Sequence, residues 1–246
     1  MSYTKQNFTN GQVLKAEHLN AMEDAIYDFY DKENSEKTVL LVGDSLMAGN
    51  GWTGGYGNCI KEMFPNFTIH NYAVSGTMLF NDEILEQCYT YYNAGLTEPD
   101  IIIVDGGGND FLNRKDIGEC SMDTNLAPDT TNSVCSYLEK LFSTIRTTWG
   151  SAKLLFIIPH SMYMWDDGST VPGVPSPKVQ KEYWDAVRNV CEKWGVPIAD
   201  TFKNGNVNYN ATSLSTFFMD DDTMHLNEAG YRRVAPIINR EILNLL

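Results

Sequence analysis

Three short apolar runs, at 39–42, 101–104 and 154–158, constrain this chain more than any other feature. Each is unbroken, with no polar residue on alternate positions, and that pattern suits a strand of a parallel sheet covered on both faces. Between them the apolar spacing turns helical. Strands are expected at 38–43, 67–74, 99–105, 152–159 and 196–200. Helices are expected at 56–64, 80–93, up to about 149, 177–194 and after 225. Strands alternating with helices in this way indicate an α/β domain with a parallel sheet between helical layers. Pro236 falls inside the last helical pattern and predicts a kink or break there.

The runs end in residues that suit a site. The first runs into Gly43-Asp44-Ser45, a tight turn at a strand's carboxyl end, where ligands bind in open α/β sheets. Ser45 is there either as a nucleophile or as a serine capping the next helix. The second strand ends near Gly76, where a backbone N–H could approach a ligand closely. The third ends Asp105-Gly106-Gly107-Gly108-Asn109-Asp110, whose glycines would let Asn109 turn towards the same edge. Far downstream, Asp220, Asp221 and Asp222 precede His225. Acyl transfer needs a nucleophile, a base, a group that orients the base, and donors for an oxyanion. Spacing favours Asp222 as the carboxylate that orients His225, since about one turn of chain separates them. His160 also follows an apolar strand and reads as a surface histidine or one beside the site, whereas His18 and His70 read as structural.

Taken together, Gly43-Asp44-Ser45-Leu46, Gly76, Gly107-Gly108-Asn109-Asp110 and Asp222 to His225 resemble the SGNH (GDSL-type) hydrolases in type and order. The segment His225 to Tyr231 is also similar to that family's last block. The resemblance covers about 38–246 and implies a three-layer α/β/α sandwich on a five-stranded parallel sheet, flavodoxin-like in order. It implies metal-free, cofactor-free hydrolysis of esters. Carried over, Ser45 is the nucleophile, His225 the base and Asp222 its orienting acid. Ser45 N–H, Gly76 N–H and the Asn109 side chain form the oxyanion hole. The blocks do not choose a substrate. The loops at 111–127, 162–177 and 203–219 should, with Trp52, Tyr163, Trp165, Phe217 and Phe218 as candidate lining residues. No long apolar lid is visible, so short acyl groups such as acetyl on carbohydrate are expected.

Composition narrows the partners. A net charge of −14 argues against nucleic acid and anionic membranes as electrostatic partners. Five scattered cysteines make neither a disulfide framework nor a metal-binding pattern. The motif Gly49-Asn50-Gly51-Trp52-Thr53-Gly54 matches a dinucleotide fingerprint but starts too far beyond the strand. Residues 1–35 differ from the rest: Leu19, Met22, Ile26 and Phe29 make one helical stripe ahead of a polar linker. The chain therefore divides into a helical arm, 1–35, and a hydrolase domain, 36–246. The arm packs on that domain or joins copies of the chain. Gly11 to Ile26 resembles a segment of phage tail and baseplate proteins, which implies a second reading, a tail-associated glycan-binding protein on the same fold. With no apolar leader in view, a cytoplasmic or phage-particle location is expected.

Overall fold

The computed structural model describes residues 15–120, 132–162, 177–207, 215–220, 222 and 224–246. Five strands form one parallel sheet: β1 (Thr38–Val42), β2 (Thr68–Asn71), β3 (Ile101–Asp105), β4 (Lys153–Ile158) and β5 (Ile198–Asp200), in the order β2-β1-β3-β4-β5. Val39 to Val42 pair in register with Ile101 to Val104. Strand side chains alternate between faces, so the apolar runs feed two cores. Leu40, Val42, Ile102, Val104 and Phe156 point to one. There they meet α4 (Glu83–Asn93), α6 (Val134–Thr148) and α7 (Pro177–Lys193). Val39, Leu41, Ile101, Ile103 and Ile157 point to the other, against α3 (Gly55–Met63) and α9 (Glu228–Leu245). That is the expected three-layer sandwich, with every central strand buried on both faces.

Three short helices were not expected. They are α2 (Ser45–Ala48), α5 (Gly108–Leu112) and α8 (Thr201–Asn204), each directly after a strand or its turn. The loop expected at 111–127 thus begins inside α5, and 121–127 lies outside the described residues. The expected break at Pro236 is absent: α9 runs through it, anchored by its Asn227 cap, which accepts from Gly230 N–H at 3.0 Å. Proline removes one helical hydrogen bond, but Val234, Ile237 and Ile238 around it are buried in the second core, and tertiary packing holds the helix.

The N-terminal helix α1 (Ala16–Glu33) is present, and its stripe is not buried. Leu19, Met22, Ile26 and Phe29 are 50%, 40%, 66% and 47% exposed. The expectation that this stripe packs on the chain's own domain is therefore not met; α1 touches α9 only lightly. Among the described residues, no helix is long and apolar enough to cross a membrane.

Candidate active site

In this strand order β1 leads to β2 on one side and lies against β3 on the other, so a crevice opens beyond the ends of β1 and β3. Ser45 and Asn109 are placed by those two ends. Ser45 is the first residue of α2 and is 3% exposed. It does not cap the helix. Asp44 does, its Oδ1 accepting the Leu46 N–H at 3.0 Å. Gly43 allows β1 and β3 to converge here, because a Cβ on it would stand 2.7 Å from the Asp105 carbonyl oxygen.

His225 arrives from 180 positions along the chain, and its Nε2 lies 2.8 Å from Ser45 Oγ. Its Nδ1 lies 2.6 Å from Asp222 Oδ2. Asp222 can only accept, so Nδ1 carries the proton and Nε2 is left to accept from the serine hydroxyl. The other carboxylate oxygen accepts from the N–H groups of Met224 and His225, at 2.7 and 2.9 Å. Partial burial opposes ionisation of Asp222, but these hydrogen bonds outweigh it and hold the carboxyl below its usual range. Asp220 is exposed, and Asp221 lies outside the described residues.

Gly76 takes a left-handed conformation, φ +85°, with open space around it. Its loop is tied to the nucleophile's turn by Val74 N–H donating to the Gly43 carbonyl at 3.1 Å and Ser75 Oγ donating to Asn50 Oδ1 at 3.0 Å. Asn109 donates from Nδ2 to the Thr77 carbonyl at 3.0 Å and, more weakly, to Asp44 Oδ2 at 3.4 Å. Next to it, the Asp110 carboxylate accepts from Leu79 and Phe80 N–H at 2.9 and 2.8 Å. Burial lifts Asp110 to about 6 despite those donors.

Two residues overturn or extend what the sequence suggested. His160 is no surface histidine. It is fully buried, and its Nε2 donates to the Met224 carbonyl at 2.8 Å, behind the base. Burial lowers its pKa to about 4, which keeps the ring neutral. The signal was its place directly after a buried strand. Gln87, on α4, went unnoticed: it accepts from Gly43 N–H (2.8 Å) and donates to Gly43 O (2.9 Å) and Thr77 Oγ1 (3.1 Å). A glutamine on an otherwise apolar helical stripe was its only mark.

The aromatic residues expected to line a cleft pack instead. Phe218 is buried against His160, with ring centroids 5.4 Å apart, and Phe217 joins the second core. Trp52 lies between Tyr231 and the Arg232 guanidinium, at 5.9 and 5.0 Å. Tyr163 and Trp165 lie outside the described residues. None of the five cysteines is joined in a disulfide.

The sequence profile of the GDSL-like lipase/acylhydrolase family matches residues 41–233, which span every group described above. Among solved structures, a Lactobacillus plantarum protein is similar with a TM-score of 0.68 and 22% identity, over 85% of this chain and 97% of that one. A lipase/acylhydrolase from Enterococcus faecalis gives 0.57 and 20% over 85% and 96%. A Slackia heliotrinireducens protein assigned to the SGNH hydrolases gives 0.58 and 13% over 84% and 98%. At such identities the likeness speaks for the fold. No functionally curated protein sequence matches the chain.

Proposed function

The chain belongs to the GDSL-like lipase/acylhydrolase family and is a hydrolase acting on ester bonds, and from that premise we propose a serine esterase that removes short acyl groups, such as acetyl on carbohydrate. One observation carries the catalytic reading: the hydrogen-bonded line from Ser45 Oγ through His225 to Asp222. Ser45 Oγ attacks the ester carbonyl while His225 Nε2 takes the hydroxyl proton. The carbonyl π pair moves onto oxygen, where N–H groups of Ser45, Gly76 and Asn109 would receive it. Collapse expels the alcohol, which takes the proton from His225 and leaves an acyl-serine. Water then repeats the sequence and releases the acid. Asp222 holds the tautomer and stabilises the imidazolium without accepting its proton.

In the resting state both Asn109 N–H bonds are engaged, so the long 3.4 Å contact to Asp44 is the one to yield to an oxyanion. The short-acyl preference is supported by the polar rim beside Ser45, where Asn50 and Ser75 hydrogen-bond and Gly76 stands open. Ser45→Ala tests the reading with p-nitrophenyl esters of rising chain length. Turnover should fall by at least about 10⁴-fold with the fold intact, and the native enzyme should favour acetyl. A native chain that resists a serine-directed phosphonate would instead fit a tail-associated glycan binder.

A further inference from the structure

Asp44 and Asp105 are two carboxyl groups with no solvent exposure, side by side behind Ser45: a Cβ on Gly43, the residue before Asp44, would stand 3.0 Å from Asp105 Cβ. Their surroundings differ. Asp44 accepts from Leu46 N–H on Oδ1 at 3.0 Å and, more weakly, from the Asn109 amide on Oδ2 at 3.4 Å. Neither Asp105 oxygen has a partner of normal hydrogen-bond geometry, and the nearby Met47 and Gly106 amides favour its charged form less than burial and Asp44 oppose it. Two adjacent buried carboxylates cannot both be ionised, because each raises the cost of charging the other and burial removes the water that would screen them. The charge settles where the donors are, and the proton where they are lacking.

We propose that Asp105 is a positioning residue that keeps its proton at neutral pH and donates it to Asp44. The pair then carries one charge, anchored on Asp44 by Leu46 N–H, the Asp105 acid and the Asn109 amide. This rests on the serine-esterase reading, and it gives Asp44 a specific place in it. Asp44 ties the first turn of α2, which presents Ser45, to the side chain of Asn109. An unquenched carboxylate there would keep the Asn109 amide for itself and repel an oxyanion forming next to it. The Asp105 proton spreads that charge and loosens the claim on Asn109. The other titratable groups facing the pair are Tyr56, whose buried hydroxyl also lacks a partner, Tyr231, Asp110 and, from the open side, His225. Burial pushes both carboxyls up, Asp105 well above its ordinary value, in accord with the placement.

Two readouts test this, and one of them needs no activity. Infrared difference spectra of the native chain at pH 8 should show a protonated carboxyl stretch that Asp105→Asn abolishes and Asp110→Asn leaves. Absence of that band, or its survival in Asp105→Asn, overturns the proposal whether or not the chain is an esterase. Asp105→Asn keeps a donor for Asp44 and should hold kcat within about threefold, whereas Asp105→Leu should lower kcat about ten- to a hundredfold with little change in KM, less than outright loss of an oxyanion donor. Equal losses in the two variants, each with a native melting profile, also overturn it. A native chain that turns over no ester defeats the esterase reading alone, because the infrared band still decides where the proton is.

Discussion

The nucleophile and the base are held in opposite ways. Ser45 is 3% exposed and sits on a turn clamped between two buried strands, with Asp44, Gln87 and Asn109 tying it to its neighbours. The His225 turn is partly exposed, both ring and carboxylate, and is held mainly by itself: Asp222 binds its own loop's N–H groups and ring. From outside, the His160 bond to the Met224 carbonyl and the Met219 N–H bond to the His225 carbonyl tether it. The sheet therefore fixes where attack begins, while a self-closing turn delivers the proton acceptor. Damage on the first side should appear as lost order in the scaffold, and damage on the second as lost chemistry in an intact one.

That contrast can be broken experimentally. Asp222→Asn should cut kcat by about 10²- to 10⁴-fold with KM and melting temperature nearly unchanged, because the lost bond stabilises charge only in the transition state. Asp220→Asn should do little, and side-by-side kcat values would move the role if it does not. On the scaffold side, Gln87→Leu strands the Gly43 N–H in a buried place, while the Gly43 carbonyl keeps Val74 N–H and Thr77 Oγ1, and should cost about 1–3 kcal/mol of stability. Denaturant melts should show that loss, and a native melt with lost activity would erase the distinction drawn here.

His160→Gln sharpens it through pH. In the unfolded chain this imidazole binds a proton below about 6.5, whereas in the fold it does so only below about 4. Between those values the unfolded state binds more protons, so stability rises with pH across the window and is lost as pH falls through it. Native stability relative to His160→Gln, which keeps a donor for Met224, should drop by about 3 kcal/mol from pH 6.5 to 4. Asp110 runs the other way, since the fold holds its proton up to about 6; comparing variants cancels it. A flat difference would mean that His160 is not buried neutral. The smallest effect belongs to the arm: deleting residues 1–35 should leave kcat unchanged, because its stripe faces away from the core. A shift to a lower oligomeric state on gel filtration would show what that stripe touches.

The sheet was legible because its central strands are apolar on both faces, which leaves a mark no helix of that length leaves. Ser45, Asn109, Asp222 and His225 could be read from their positions at strand ends and from the spacing of the last pair, and the structure brings them together. Helices of four or five residues such as α2, α5 and α8 were not, since periodicity needs more than one turn to appear. His160 was misjudged for a different reason: a polar residue after an apolar run marks an exit to solvent or the last buried position, and only the packing of Phe218 over it decides. Asp105 and Gln87 belong to the same class. A buried polar side chain is defined by its partners, and those partners are distant in sequence.

The 180 positions that separate Ser45 from His225 also set an order of events when the chain acquires its shape. Closing so long a span is entropically costly and is offset only once α9 has docked on the second core, so the base reaches the nucleophile among the last contacts to form. A nascent chain still lacking its final helix carries a shaped but unarmed serine. Turnover thus reports completion, and after refolding it should return later than the helical signal does.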